Sequence, residues 1–232
     1  MGPAHPLFLC VRPGRLRHEK GRVVNPVTTG LSGVLVAGGK SRRMGQDKRF
    51  LSLGGRTLLE RTLAVLDSLF SEVLVVVSEP LPETVALGHR VVMDLIPGCA
   101  TLGGLYSGLH SSSHDRIFAV GCDMPFLSVA VIERLAELDR GADVVMPRLS
   151  TGLQPMHAIY SKACLAPLER MATAENLRVQ DLCQDESLSV RVVAEDELRA
   201  VDPNLLSFFN INTPADLELA LKLVAHRASL HE

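Results

Sequence analysis

The stretch GVLVAGGKSRRMGQDK, residues 33–48, indicates the fold class because a short apolar run passes directly into a glycine-containing basic loop. The apolar run GVLVA, residues 33–37, has the length and composition of a buried strand. The loop after it contains one acid, Asp47, and four cations: Lys40, Arg42, Arg43 and Lys48. The whole chain has a formal net charge of only −2, so this local excess of positive charge predicts a binding site for an anion.

The segments after this stretch alternate between strand and helix patterns. Continuous apolar runs predict further strands at residues 72–78, 90–94, 116–125, 142–147 and 154–161. Apolar residues at helical spacing and helix-forming runs predict helices at residues 56–70, 102–112, 128–138, 163–172, 175–183 and 214–224. Because strands that alternate with helices favour right-handed crossovers, the pattern predicts an α/β fold with a mostly parallel central sheet.

Length and composition suit one globular domain. The chain has 232 residues, of which 47% are hydrophobic and 22% are charged, enough for the core of one α/β domain. The sequence pI of about 6.4 argues against a general nucleic-acid-binding protein, because such proteins usually carry a basic excess. No apolar run approaches the roughly 20 residues that span a bilayer, so neither nucleic acid nor a membrane is an expected partner.

The first 30 residues differ in composition from the rest of the chain. They are rich in proline and basic residues and show no helical period, which predicts a flexible N-terminal extension at residues 1–30, with a functional basic arm as the alternative. The folded domain is predicted at residues 31–226. The five cysteines are scattered and form no C-x-x-C pair, which favours reduced thiols in a cytoplasmic protein.

The predicted sheet brings several polar residues to one edge. In open α/β sheets, ligands bind outside the carboxyl ends of the strands. The loops that should meet there follow Ala37, Ser78, Asp94 and Gly121. Together these loops supply the basic cluster and two acids, Asp94 and Asp123, so the ligand site is expected at this edge.

The basic loop is not a Walker A motif, because Val34 occupies the position of the first glycine of that motif. Gly38 and Gly39 still allow the backbone to approach a ligand, and successive loop N–H groups can form an anion-binding nest. Arg43 and Lys48 can then neutralise a polyphosphate. The alternative is a solvated turn whose cations only face water, but four cations directly after a buried strand favour phosphate binding.

Two acids at predicted strand ends are candidate ligands. Asp123, in VGCDMP, can hold Mg²⁺, which takes one or two carboxylates together with water and substrate phosphates. It could instead cap a helix or pair with the basic loop. Asp94 can hold a ribose, a base or a metal, or it can begin an Asx turn before Pro97.

The segment FFNINTPADLELA contains a helix-start signal and two amides. Thr213 is a candidate N-cap with Asp216 three residues later, which predicts a near capping box. Asn210 and Asn212 lie two residues apart in an extended segment and therefore point the same way. They can bind a polar ligand or tie a loop. In QPMHAIY, the apolar surroundings favour a core histidine with satisfied hydrogen bonds over a base at His157.

Four motifs of the chain resemble those of a known enzyme family. LVAGGKSRRMGQDK is similar to the nucleotide-binding signature of the molybdenum cofactor guanylyltransferases, L-A-G-G-x-S-x-R-M-G-x-D-K. CDMPFL, QPMHAIY and FFNINTPADL match further motifs in the same order, and the likeness covers residues 31–225. The resemblance implies a Rossmann-like, three-layer nucleotidyltransferase domain with a mostly parallel central sheet.

The resemblance also implies roles for individual residues. Catalytic roles fall on Arg43 and Lys48, which would bind phosphates, and on Asp123, which would hold Mg²⁺ and nucleotide. The expected contacts with the nucleotide or with the pterin are Val36, Ala37, Gly38, Gly39, Lys48, Ser78, Asp94, Asp123, Asn210 and Asn212. The first three of these would act through their backbone, and the two amides would face the pterin. Two departures from the family pattern are Val36, where leucine is usual, and Ala100, where a flexible glycine is expected.

The implied activity is an Mg²⁺-dependent transfer of GMP from GTP to the terminal phosphate of molybdopterin or Mo-molybdopterin. Other cofactor-biosynthesis proteins and apo-molybdoenzymes are expected partners. One alternative is a cytidylyltransferase, although cytidylyl relatives tend to have Ala-Gly in place of Gly38 and Gly39. Further alternatives are a nucleotidyltransferase for a sugar, sugar-alcohol or lactyl phosphate, and a non-catalytic protein that delivers the cofactor.

Overall fold

The computed structural model describes three stretches of the chain: residues 28–38, 47–80 and 88–229. Residues 1–27 of the predicted extension lie outside the described residues, as do Gly39 and Arg43 of the basic loop. Thr28 is buried, and its hydroxyl donates a hydrogen bond to the carbonyl of Leu69. The predicted domain boundary stays a prediction.

The described residues contain ten strands, of which eight form a central sheet and two form a small hairpin. In chain order the strands are β1 (Leu31–Val36), β2 (Ser52–Leu53), β3 (Arg56–Thr57), β4 (Val73–Val77), β5 (Arg90–Met93), β6 (Arg116–Gly121), β7 (Val144–Leu149), β8 (Gly152–Leu153), β9 (His157–Ser161) and β10 (Val190–Ala194). The hairpin pairs β2 with β3. Every strand predicted from the sequence is present, with shifted ends.

The central sheet has the strand order β10-β7-β9-β6-β1-β4-β5, and β8 pairs with β7. Neighbouring strands run parallel except where β9 pairs with β6 and β7 and where β8 pairs with β7. The predicted mostly parallel sheet is therefore confirmed. The chain moves outward from β1 to β4 and β5 and then returns to β6 on the other side of β1. Ligands bind at such a switch point in open α/β sheets.

Six α-helices accompany these strands in the part of the chain that the structure describes. They are α1 (Leu58–Leu69), α2 (Ala100–Ser111), α3 (Val129–Leu138), α4 (Leu165–Thr173), α5 (Glu195–Arg199) and α6 (Pro214–Ser229). Side chains of α6 are described as far as residue 226. Thr57 begins α1 with a capping box that it forms with Glu60, which explains why this helix starts directly after the hairpin.

Two parts of the second half differ from the sequence prediction. The α-helix predicted at residues 175–183 is wrong, because the chain forms a 3₁₀ helix at Val179–Gln184 instead. Glu175 lies at φ +57°, in the left-handed region, so α-helical geometry does not continue from α4 into this segment. The sequence prediction also missed β10. This edge strand has only Val193 fully buried, so it lacks the continuous apolar run of a central strand.

Helices cover the sheet on both faces and give the predicted three layers. Successive strand residues point to opposite faces. Leu35 accordingly joins the core beneath α1 and α3, whereas Val34 and Val36 join the core beneath α2 and α4. Burial on both faces explains why the central strands read as continuous apolar runs. The Rossmann-like α/β class is therefore confirmed.

Two glycines bring α2 close to β1. A Cβ atom on Gly104 would lie 2.5 Å from Cγ1 of Val36, and one on Gly108 would overlap the side chain of Val34. Larger residues at these positions would push the helix away from a core that is packed at crystal-like density. The close approach places the first turn of α2 beside the carboxyl ends of β1 and β4.

Candidate active site

The carboxyl ends of four parallel strands meet at one edge of the sheet. The residues that follow them are Gly38 after β1, Ser78 after β4, Asp94 after β5 and Asp123 after the turn that ends β6. Backbone hydrogen bonds continue past the strand ends, because Ala37 N–H donates to Val76 C=O at 2.8 Å and Asp94 N–H donates to Val77 C=O at 2.9 Å. The predicted convergence of these loops is therefore present.

A cleft of about 320 Å³ opens between the ends of β1, β4 and β5 and the first turn of α2. The lining residues are Gly38, Val76, Val77, Ser78, Asp94, Gly98, Ala100, Thr101 and Gly104. Gly38 and Ser78 lie close together, since a Cβ atom on Gly38 would be 3.6 Å from the backbone nitrogen of Ser78. The lining is mostly short side chains and backbone, which suits a ligand bound through backbone groups and a few polar contacts.

Asp94 lies at the rim of this cleft and also shapes it. Its Oδ1 accepts hydrogen bonds from Ile96 N–H and from the Ser107 hydroxyl, both at 3.1 Å. The first of these bonds is the Asx turn that the sequence offered as an alternative role. Both carboxylate oxygens lie 2.8 Å from the place where a Cβ atom of Gly103 would stand, so only glycine fits there. No described residue hydrogen-bonds to Oδ2, and a ligand role for Asp94 stays a prediction.

Ala100, which stands where the family pattern has a flexible glycine, adopts a backbone conformation that favours glycine. It lies at φ +49°, in the left-handed region. Gly98, two residues before it, lies in the same region at φ +92°. An L-residue in this region costs about 1–2 kcal/mol. The turn into α2 therefore keeps a glycine-like geometry although the sequence has alanine.

A second group of polar residues gathers beside the cleft around Lys48. The ammonium of Lys48 donates a hydrogen bond to Oδ1 of Asn212 at 3.0 Å, across 164 positions of sequence. The carbonyl of Asp123 accepts a hydrogen bond from Ile211 N–H at 2.9 Å. Three motifs that are distant in the sequence thus meet at one point: the end of the basic loop, the loop after β6 and the segment before α6.

Asp123 is a half-buried carboxylate in this group. Burial raises the pKa of Asp123 above its ordinary value, and the positive charge of Lys48 opposes that shift. Gly121 makes room for the carboxylate, since a Cβ atom there would be 2.8 Å from Oδ1 of Asp123. Capping of the following helix is excluded, because Ser128 occupies the N-cap position of α3. No ion pair within 4.0 Å joins Asp123 to another residue that the structure describes.

The segment before α6 holds its two amides in different ways. Asp216 accepts hydrogen bonds from the backbone N–H groups of Asn212 and Thr213, and Thr213 Oγ1 accepts one from Asp216 N–H. The predicted capping box is therefore confirmed, and it fixes Asn212 at the start of the helix. Asn210 donates a weaker bond, at 3.4 Å, to the carbonyl of Phe208. A pterin contact for either amide stays a prediction.

Arg49 also belongs to this region, although no motif singles it out. Its guanidinium donates hydrogen bonds to the Asp47 carboxylate and to the carbonyl of Ala37. The ion pair of Arg49 with Asp47 has a local signal in the sequence, since an acid two residues before an arginine in a loop can form an ion pair with it. Its contact with Ala37 depends on the tertiary structure, and the sequence alone does not show it.

His157 lies in the core and not in the site. It is fully buried, with its ring 5.2 Å from that of Phe118 and 4.4 Å from that of Phe208. Neither ring nitrogen has a hydrogen-bond partner among the described residues, so the histidine is not satisfied. Burial lowers the pKa of His157 to about 3, which keeps the ring neutral. The predicted core position of His157 is confirmed, and the prediction of satisfied ring hydrogen bonds is wrong among the described residues, because the ring packs between Phe118 and Phe208.

We expect His157→Leu to remove much of the acid sensitivity of folding. The folded-state pKa is about 3 against 6.5 in the unfolded chain, so the unfolded state binds a proton that the folded state does not. Stability from the neutral ring is complete above pH 6.5 and is lost as pH falls, by ~2 kcal/mol at about pH 5. Chemical denaturation of both proteins at pH 8 and pH 5 measures this difference.

The control for this experiment is His110→Gln, because His110 is exposed on α2. We expect that variant to keep the pH dependence of the parent. An unchanged pH dependence in His157→Leu would contradict the assignment of a buried neutral ring.

Neither a protein metal cluster nor a membrane span is found among the described residues. No group of three or more histidine, cysteine, aspartate and glutamate side chains there could hold a metal ion. None of the described helices is both long and apolar enough to cross a bilayer.

The fold and the site together define a class of protein. An open, mostly parallel sheet with a small cleft, a lysine and two carboxylates at its switch point is typical of α/β domains that bind nucleotides. The sequence of residues 33–188 matches the MobA-like NTP transferase domain, and the chain belongs to this family. The family resemblance predicted from the motifs is confirmed.

Individual relatives are similar over most of their length. The chain is 38% identical to the probable molybdenum cofactor guanylyltransferase of Pelotomaculum thermopropionicum, over 80% of this chain and 89% of the relative. It is 37% identical to the molybdenum cofactor guanylyltransferase of Desulfosudis oleivorans, over 82% and 94%. Among solved structures, it resembles molybdopterin-guanine dinucleotide biosynthesis protein A of Archaeoglobus fulgidus, with a TM-score of 0.72 and 26% identity over 84% and 100%.

Proposed function

We propose that the protein transfers GMP from GTP to the terminal phosphate of molybdopterin or Mo-molybdopterin and releases pyrophosphate. The observation that carries this proposal is the meeting of Lys48, Asp123 and the segment at Asn212 at the carboxyl edge of the sheet. The names of the relatives support the identity of the two substrates. The product would be the guanine dinucleotide form of the cofactor.

GTP is assigned to the cleft and to the end of the basic loop. The side chains of Val36 and Ala37 are buried, so only their backbone could reach a ligand at the strand end, while Gly38 is exposed. Ser78 and Asp94 line the same cleft and supply the polar side chains there. Gly39 would add a further backbone contact, and Arg43 and Lys48 would face the triphosphate.

The reaction needs no nucleophile from the protein. An oxygen of the acceptor phosphate attacks the α-phosphorus of GTP in line, and a new P–O bond forms. The bond from the α-phosphorus to the bridging oxygen breaks, and pyrophosphate leaves with that electron pair. Catalysis then consists of positioning and charge stabilisation, and Lys48 and Arg43 would offset charge on the phosphates.

The residues of the site fit an Mg²⁺ ion whose other ligands come from the substrate and water. Asp123 offers one half-buried carboxylate, and no cluster of three candidate ligands occurs in the part of the chain that the structure describes. Mg²⁺ is typically bound through one or two carboxylates plus phosphate oxygens, so Asp123 would hold it. When bound, it would offset negative charge on the reacting phosphates.

The acceptor is assigned to the side of the site formed by the segment before α6. Asn212 is exposed there and contacts Lys48, and Asn210 lies two residues before it. Both amides could hydrogen-bond to a pterin.

The four cysteines among the described residues are all free thiols, which supports a cytoplasmic location. Other cofactor-biosynthesis proteins and apo-molybdoenzymes would supply the acceptor and take up the product.

We expect GTP to be the preferred nucleotide. Recognition of a base edge by buried polar groups can be highly selective, because the wrong base leaves those groups unpaired. Initial rates with GTP, CTP and ATP at equal concentration, with Mg²⁺ and molybdopterin, test this expectation. A clear preference for CTP would contradict the guanylyl assignment and favour a cytidylyltransferase. An absence of turnover with every nucleotide would favour a non-catalytic delivery protein.

A further inference from the structure

One largely buried guanidinium contacts both ends of the basic loop. The side chain of Arg49 is only 11% exposed. Its Nε lies 2.8 Å from Oδ1 and 3.0 Å from Oδ2 of Asp47, its Nη2 also pairs with Oδ2, and its Nη1 donates to the carbonyl of Ala37 at 2.7 Å. Ala37 directly precedes residues 38–46, and Asp47 directly follows them. The guanidinium therefore fixes the distance between the ends of this segment.

The same contacts fix the position of Lys48. Asp47 is the N-cap of the 3₁₀ helix Lys48–Phe50, and its Oδ1 accepts a hydrogen bond from the backbone N–H of Arg49 at 3.1 Å. The hydrogen bond from the Arg49 side chain is the main cause that lowers the pKa of Asp47. Lys48, which lies between the two, is thereby held with its ammonium near Asn212.

We propose that Arg49 is a positioning residue for the nucleotide, and this inference rests on the proposed function. Its charge is paired with Asp47, so it differs from Lys48, whose ammonium contacts only the neutral amide of Asn212 among the described residues. Arg49 acts by holding the Ala37–Gly38 backbone and Lys48 at a fixed separation, so that both reach one triphosphate. A small displacement of such groups is enough to weaken their combined action.

The planar fork of arginine is essential to this arrangement. Arginine can donate to a carboxylate and to a carbonyl at the same time, in a fixed geometry. The single ammonium of a lysine cannot hold both Asp47 and Ala37 in that geometry. Arg49→Lys therefore keeps the charge and removes the bridge.

Arg116 provides a control on the same sheet, at the end of β6 opposite the site. It lies at the amino end of β6, its side chain is 20% exposed, and it also bridges a carboxylate and a backbone carbonyl, those of Asp139 and Ala142. Both of its bonds come from one nitrogen, Nη2, whereas Arg49 holds Asp47 and Ala37 with different nitrogens. Arg116→Lys therefore makes the same replacement at a half-buried ion pair at the end of β6 opposite the site.

The test is the equilibrium binding of GTP to the parent, to Arg49→Lys and to Arg116→Lys, with unfolding measured for each. We expect Arg49→Lys to raise the Kd for GTP on the order of 10-fold, while the KM for molybdopterin stays within about twofold. Arg116→Lys should keep the Kd of the parent, because this residue lies at the amino end of β6, away from the site. Asp47→Asn, which breaks the same bridge from its other side, should raise the Kd for GTP, and the double variant should be no worse than the poorer single one.

Several results would overturn the inference. An Arg49→Lys protein that binds GTP as the parent does would show that the bridge is not needed. Equal increases in the Kd for GTP in Arg49→Lys and Arg116→Lys would show the same. If Arg49→Lys does not fold, parent-like binding by Asp47→Asn would overturn the inference in its place. A parent that binds GTP but does not transfer it would contradict the proposed function alone. A parent that binds no nucleoside triphosphate would contradict both.

Discussion

Asp123→Asn is expected to lower the turnover number on the order of 10²-fold or more while the protein still folds and binds GTP. The substitution keeps the shape of the side chain and removes its charge, and a hard cation such as Mg²⁺ favours an anionic oxygen. Folding should not suffer, because burial already disfavours the charged form of Asp123. A titration of turnover with Mg²⁺, together with GTP binding, measures both parts of this expectation.

The matched control is Asp115→Asn. Asp115 is exposed and directly precedes β6, whereas Asp123 lies just after the other end of the same strand. It should keep parent activity. Near-parent turnover of Asp123→Asn at saturating Mg²⁺ would contradict the metal role. Asp94, whose Oδ1 is engaged in an Asx turn, would then be the next carboxylate to test.

Lys48→Ala is expected to lower kcat/KM for GTP by roughly 30- to 1,000-fold. A positive charge aimed at a phosphate in a water-poor site contributes about 2–4 kcal/mol, which corresponds to that range. The free energy of unfolding should change by about 0.5 kcal/mol or less, because Lys48 begins a short 3₁₀ helix and its bond to Asn212 is exposed. Steady-state kinetics and denaturation of the variant measure the two effects.

Asn212→Ala separates the charge of Lys48 from its contact with Asn212. If Lys48 acts only by tying the segment before α6, both substitutions should lower kcat/KM for GTP equally. If its charge acts on the triphosphate, Asn212→Ala should have the smaller effect. Lys222→Ala is a surface control, since Lys222 pairs with Glu218 on the exposed face of α6. Parent-like kinetics of Lys48→Ala would remove Lys48 from the mechanism.

The central strands could be predicted because both of their faces are buried. Leu35 and Val36 lie on opposite faces of β1 and both pack beneath helices, so the sequence shows an unbroken apolar run. β10 lacks that signal, since it lies at the sheet edge and only Val193 is fully buried. The 3₁₀ helix at Val179–Gln184 was missed for another reason, because the left-handed conformation of Glu175 is not encoded by a glycine.

From the strand pattern alone, the site could be predicted only near the ends of strands, and the family motifs added Lys48, Asn210 and Asn212. Asp94 and Asp123 could be placed by that rule, because carboxyl ends of parallel strands share one edge. The contact of Lys48 with Asn212 spans 164 positions and depends on how α6 packs, so no local pattern contains it. Arg49 was missed because its bond to Ala37 exists only in the folded chain. The roles of Gly39 and Arg43 stay predictions, since both lie outside the described residues.

The most direct test of GMP transfer follows the α-phosphorus of GTP into the product. The protein is incubated with Mg²⁺, molybdopterin and GTP labelled at its α-phosphorus, and the products are separated and identified by mass. The expected result is label in a guanine dinucleotide of molybdopterin, with unlabelled pyrophosphate formed in equal amount. Label that remains in GTP or in free GMP, with no dinucleotide product, would contradict the account.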